Sequence, residues 1–160
     1  MKNGITKVAV GDVADLVPLM LAYCEFYEVE PGQERLGELS VALIANPSEG
    51  VQLIARGEDG TPVGFATVYW TWQTLSASRA GVMNDLFVTP EARAAGWADA
   101  LIEACAEECR ARDITSLVWQ TALDNSRAQA VYERVGAVAE RWLDYSLDVT
   151  RRTDGQLPGS

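Results

Sequence analysis

The order of periodic segments predicts an α/β (α+β mixed) fold. A central mixed, mostly antiparallel sheet carries helices on both faces, in the order β-α-α-β-β-β-α-β-α-β. Three observations predict it. Two strand-like runs, 51–56 and 63–75, flank the turn sequence GEDGTP and form an antiparallel hairpin. Strand 82–88, helix 96–112 and strand 116–121 succeed one another as a βαβ unit, which demands parallel pairing and a right-handed crossover. Two helical patterns lie between the first strand and the hairpin.

Taken in order, Ile5 to Val10 alternates loosely and reads as the first strand. Asp12 is placed to cap a helix whose apolar residues Val13, Leu16, Val17, Met20, Leu21 and Cys24 recur at helical spacing. Pro31-Gly32 breaks it, and Leu36 to Ala45 predicts a second short helix. NPSEG is a turn, followed by the strand 51–56. Val63 to Leu75 is rich in β-branched and aromatic residues, SASRAG reads as a loop, and Val82 to Val88 reads as the next strand. Alternation along that strand puts Met83, Asp85 and Phe87 on one face and Asn84, Leu86 and Val88 on the other. The helix after it buries Trp97, Leu101, Ile102, Cys105 and Cys109 and exposes Glu103, Glu107 and Arg110. Asn125 or Ser126 caps a short helix with the stripe Ala128, Val131, Tyr132 and Val135, which Gly136 stops. Ala137 to Val149 reads as a last strand, and 151–160 as a disordered tail. One domain over 1–150 is expected.

Charge and composition narrow the function. The 160 residues carry a net charge of -10, which argues against nucleic acid, because phosphate binding needs clustered Lys and Arg. There is no histidine, which removes Ser-His and Cys-His nucleophile pairs and most zinc sites. Proton transfer must then use carboxylate, tyrosine, amine or water. Three cysteines without regular spacing are not a disulfide framework, and Cys105 and Cys109 read as buried thiols. Neither a signal peptide nor an apolar run of transmembrane length is present, so a cytoplasmic protein without a membrane partner is expected.

The stretch Arg93-Ala94-Ala95-Gly96-Trp97-Ala98 joins a strand to a helix. Its small residues and the unpaired N–H groups of a helix start suit a phosphate. An ordinary alanine-rich first turn explains the same residues. The spacing Arg93-x-x-Gly96-x-Ala98 after MNDLFVTPEAR, with LDNSRAQAVYERVGA downstream, resembles the signatures of the GCN5-related N-acetyltransferases. Asn125, Tyr132 and Gly136-Ala137 stand at the positions of the second signature. The segments YCEFYEV and YWTWQTLSASRAGVMNDLFV look most like the branch of diamine, thialysine and histone/polyamine acetyltransferases.

That resemblance implies a fold of the same kind, acetyl-CoA as donor, a primary amine as acceptor, no metal, and a homodimer. The backbone at Leu86, Phe87 and Val88 would bond the pantetheine arm. Arg93 and the N–H groups of Ala94, Ala95, Gly96, Trp97, Ala98 and Asp99 would hold the pyrophosphate. Asn125 would contact the pantetheine or cysteamine portion, although helix capping explains it equally. Tyr132 would protonate the departing thiolate, as a phenol of pKa about 10 can; a place on the apolar stripe is the competing explanation. In the branch a Glu-Asp pair precedes the aromatic end of the fourth strand, and this chain has Asn84-Asp85 there, so Asp85 is the candidate base, with a structural role as the alternative. Tyr27, Glu28, Asn84 and Asp85 are candidate acceptor residues, with Glu25, Glu30, Trp70 and Trp72 as further candidates. The implied acceptor is a small cationic amine, either a polyamine or amino-acid-like. A protein lysine or N-terminal amine is the alternative. Because the Glu position is Asn and because Ala94 and Ala98 replace glycine, an inactive acyl-CoA-binding module is a second alternative.

Overall fold

A computed structural model describes residues 4–150. The strands are β1 (Ile5–Lys7), β2 (Gly50–Arg56), β3 (Pro62–Gln73), β4 (Ser78–Val88) and β5 (Leu117–Val118). The helices are α1 (Val13–Phe26), α2 (Gln33–Ala45), α3 (Trp97–Arg110) and α4 (Ser126–Arg134). The strands lie in the order β1-β2-β3-β4-β5; β4 and β5 run parallel and every other pair runs antiparallel.

Strand alternation splits the apolar residues into two cores. On one face, Leu53, Ala55, Ala66, Val68, Met83 and Val88 meet Trp97, Leu101, Ile102, Cys105 and Cys109 of α3. On the other face, Ile54, Phe65 and Phe87 meet Leu16, Leu19, Met20 and Leu36 of α1 and α2. Helices therefore cover both faces, as the sequence predicts. Cys105 and Cys109 are buried thiols, and Trp97 is a core residue.

Several boundaries differ. SASRAG is not a loop beyond its first residues: β4 starts at Ser78 and pairs back to Gln73, so the turn occupies only 74–77. Small polar residues hide this extension from a hydrophobic pattern, but backbone pairing and Arg79 over the Trp72 ring (4.6 Å) hold it. Asp12 caps no helical N–H with its side chain. Its carboxylate accepts instead from the Ala9 N–H and from Arg56, both at 2.9 Å, and so ties the entry of α1 to the end of β2. The strand expected over 116–121 shortens to Leu117–Val118. The last strand expected over 137–149 is not formed, and Trp142, Leu143, Tyr145 and Leu147 stand exposed without a ladder partner. Alternating hydrophobicity there suits a strand, but pairing also requires a neighbouring edge, and β5 offers only two residues of one. The tail expected over 151–160 lies outside the described residues.

Candidate active site

A break in the sheet makes the site. β4 and β5 pair only at Gly81↔Leu117 and Val82↔Val118. Beyond this the two chains part, and a cleft of about 710 Å³ opens between Asn84, Leu86 and Val88 on one side and Trp119, Gln120 and Thr121 on the other. The β5-facing edge of β4 has no strand partner past Val82, so its backbone groups are presented to the cleft.

A bulge fixes what β4 shows. Met83 pairs with Val68 and Asp85 with Thr67, which leaves Asn84 as the extra residue. The simple alternation fails at this point. Met83 joins Leu86 and Val88 on the α3 face, while Asp85 and Phe87 face α1. Periodicity carries no mark of an inserted residue, so the sequence reading placed Met83 on the wrong face.

Past Val88, a short 3-10 turn at Pro90–Ala92 leads into the small-residue loop. Ala94 and Gly96 have positive φ, 65° and 78°, and α3 begins at Trp97. A Cβ built on Gly96 meets nothing within 4 Å, so the backbone there faces open space. The first turn of α3 aims N–H groups and the positive end of the helix dipole toward the cleft. Arg93, Ala94, Gly96, Trp97, Ala98 and Asp99 all line it; Ala95 does not. Arg93 donates from Nε to the Val88 carbonyl (3.2 Å), which braces the loop against β4. Asp99 is held by Arg134 of α4 at 2.8 and 2.9 Å.

The opposite wall is α4. Asn125 accepts from the Ala128 N–H (3.2 Å) and so caps the helix while also lining the cleft. Tyr132 lines the cleft half-buried, its ring edge-on to Trp119 at 5.3 Å and its hydroxyl bonded to Thr121. Burial pushes its phenol above the ordinary value of 10.0, and nearby Tyr27 pushes the same way. The hydroxyl therefore stays protonated at neutral pH. The expected stripe of α4 is half-buried at Ala128, Val131 and Tyr132 and exposed at Val135.

Across the cleft, the last turn of α1 brings Tyr23, Phe26 and Tyr27. Asp85 lies behind Tyr23 and Asn84, where it accepts hydrogen bonds from Tyr23, Thr67 and Asn84, the last at 3.0 Å. Burial raises its carboxyl above 3.8, and the three bonds act in the opposite direction. Thr67 in turn receives the Gln52 amide (3.3 Å), so a buried polar strip runs from the core to the cleft.

The geometry thus gathers Leu86, Phe87, Val88, Arg93, Asn84, Asn125, Tyr27 and Tyr132 at one cleft, with Asp85 directly behind its wall. Glu28 is exposed and does not line it; neither do Glu25 or Glu30. The chain leaves α1 at Tyr27, and a positive φ of 57° at Glu28 redirects it. Trp70 is a core residue whose Nε1 donates to the Pro47 carbonyl (3.2 Å), and Trp72 stands at the far end of β3. Sequence reading missed Tyr23, Phe26, Trp119, Gln120, Thr121, Arg127 and Arg134 as cleft residues. Tyr23 carried a signal, being one helical turn before Tyr27. Among the described residues, no group of three or more Cys, Asp or Glu side chains is placed to hold a metal ion.

Residues 17–137 match the Acetyltransferase (GNAT) family. The uncharacterized N-acetyltransferase YhfO of Bacillus subtilis (strain 168) is 33% identical over 146 residues, which cover 91% of this chain and 97% of that protein. The crystal structure of a probable acetyltransferase superposes with a TM-score of 0.81 at 26% identity, over 92% of this chain and 99% of that one. AAC(6')-Iy in complex with the bisubstrate analog CoA-S-monomethyl-acetylneamine shares the fold, with a TM-score of 0.79 at 18% identity over 90% and 97% of the two chains.

Proposed function

The chain belongs to the acetyltransferase (GNAT) family and is an acetyl-CoA-dependent acetyltransferase; on that premise we propose direct transfer of the acetyl group to a small primary amine, cationic in solution. One observation carries the reading: the gap between β4 and β5, the α3 start and Tyr132 converge on a single cleft. The residues fit the donor. Open space at Gly96, the dipole of α3 and Arg93 suit a pyrophosphate, and the unpaired edge of β4 at Leu86 to Val88 suits an amide-bearing arm. Bound there, the donor supplies an activated acetyl thioester.

The protein's own groups supply orientation and protons. Backbone N–H groups of β4 at the bulge polarise the acetyl carbonyl. Asp85 takes a proton from the acceptor ammonium by way of the Tyr23 hydroxyl, which gives its own proton to the carboxylate as it receives one. The neutral amine forms the C–N bond and the C–S bond breaks. Tyr132 donates its phenolic proton to the sulfur, and the second proton shed by the nitrogen as the amide forms restores the phenol by way of solvent. A carboxylate kept above its ordinary pKa matches this duty better than a free one, because the proton moves nearer to balance.

Calorimetry with acetyl-CoA, followed by free-thiol release over an amine panel that includes a lysine peptide, tests the proposal. Binding without turnover on any amine would instead identify an acyl-CoA-binding module. The apolar side chains left open on residues 138–149 support a homodimer, which sedimentation measures.

A further inference from the structure

Phe26 and Tyr27 form an exposed aromatic shelf at the acceptor end of the cleft. Their side chains lie in and just past the last turn of α1, 65% and 55% exposed. The two rings meet edge to face at 5.1 Å, and Tyr27 meets Tyr23 in the same way at 5.1 Å. Tyr23 is fixed in turn against Phe65 and Phe87. The shelf is therefore ordered from the core outward while its outer faces stay open. Edge-to-face packing leaves ring faces free for a flat partner.

The charges of the wall point the same way. Asp99 is the only carboxylate among the described lining residues, and it is bridged to Arg134 at the donor end. Asp85 offers one carboxylate, behind Tyr23, for one ammonium. The remaining charged lining residues are arginines. Inside the cleft a second ammonium on a diamine would find no further carboxylate, since Glu25, Glu28 and Glu30 beside the shelf do not line it. An apolar tail would cover open ring surface.

Resting on the transfer reading above, we infer that the acceptor is a primary monoamine carried on an aromatic or flat apolar body, not a diamine or polyamine. The amine nitrogen lies at Tyr23 and Asn84, where Asp85 serves it, and the body lies on Phe26 and Tyr27.

The test compares 2-phenylethylamine and tyramine with putrescine and spermidine at saturating acetyl-CoA. The aromatic amines are expected to show at least about tenfold higher kcat/KM. Phe26→Ala is expected to raise KM for 2-phenylethylamine by about tenfold with little change in kcat, and Phe26→Trp to restore it. The acetyl-CoA dissociation constant should be the same in all three proteins. A preference for putrescine or spermidine, or a Phe26→Ala enzyme with unchanged KM, overturns the inference. A binding arm decides it even if no amine is acetylated. With CoA-saturated protein, saturation-transfer NMR should show the phenyl protons of 2-phenylethylamine on the wild type and lose them in Phe26→Ala. Absence of that signal in the wild type also overturns it. Failure of thiol release with the signal intact overturns the transfer reading alone.

Discussion

The hydroxyl of Tyr23 hydrogen-bonds the carboxylate of Asp85, and the ring of Tyr23 forms the cleft wall in front of it. The acid is thus withdrawn from solvent yet connected to the cleft through one phenol. Burial alone would make such a carboxyl nearly inert as a charge, and hydrogen bonds alone would make it a weak base. Burial is the stronger of the two and leaves it raised above 3.8, with the hydrogen bonds opposing.

A pH dependence follows for the reaction. The base works when ionised, so kcat/KM for the amine should rise with pH through an acid limb centred above 3.8. Asp85→Asn should remove that limb and lower kcat by about 10²-fold. Tyr23→Phe should do the same in smaller measure. An unchanged pH profile in both variants would refute the relay.

The same shift has a stability consequence of fixed sign. A folded pKa raised above 3.8 means that the native state holds the proton more tightly than the unfolded chain does. The resulting stability is complete below about pH 3.8 and is lost as pH rises through the folded value. Asp85→Asn should therefore be more stable than the wild type at neutral pH, and this advantage should vanish near pH 3. Urea midpoints measured across that range provide the comparison.

Tyr132→Phe removes a hydroxyl bonded to Thr121 and keeps the ring against Trp119. Acetyl-CoA affinity should stay within about twofold, while kcat falls by about 10²-fold or more. Single-turnover kinetics is the deciding measurement, because a rate unchanged when chemistry limits would leave Tyr132 a wall residue only.

Gly96 combines open space with a φ of 78°. Gly96→Ala carries the backbone strain, on the order of 1 kcal/mol, without adding charge. Gly96→Glu adds an anion where the α3 dipole favours a ligand's anion. Calorimetry should show a modest loss of acetyl-CoA affinity for the first and loss beyond detection for the second. Equal affinities would mean that the loop is only a helix start.

Gly81 is constrained by packing. A Cβ there would sit 2.6 Å from Cys109 Sγ and 3.2 Å from a Leu117 methyl group. Gly81→Ala should cost about 1–3 kcal/mol. Adding Cys109→Ala should recover part of that loss, since it vacates the space; thermal unfolding of the single and double variants measures it.

The features legible in the sequence were those with a local cause. The α3 stripe, the hairpin at 57–62 and the Asn125 cap all follow from residues within one turn or one pair of strands. The two-face sheet followed from alternation. Three features had no local cause. The bulge at Asn84 adds a residue without altering composition. The brevity of β5 depends on where two chains part in space. The link of Tyr23 to Asp85 exists only because the bulge brings Asp85 round to face α1. The loop residues Arg93, Ala94, Gly96, Trp97, Ala98 and Asp99 could be named as cleft residues because their motif is contiguous; the facing wall is assembled from α1, β4 and the segment after β5.

The end of α1 has a further consequence, for how specificity can change. The groove is built from β4, the α3 start and α4, whereas the aromatic shelf hangs on the final turn of one helix, just before the backbone turns at Glu28 and Gly32. Phe26 and Tyr27 pack on one another, and Tyr27 on Tyr23 of the same helix. On the proposed reading, specificity and chemistry sit on separate elements: exchanging residues 26 and 27 should redirect the enzyme to another amine while β4, the α3 start and α4 stay in place.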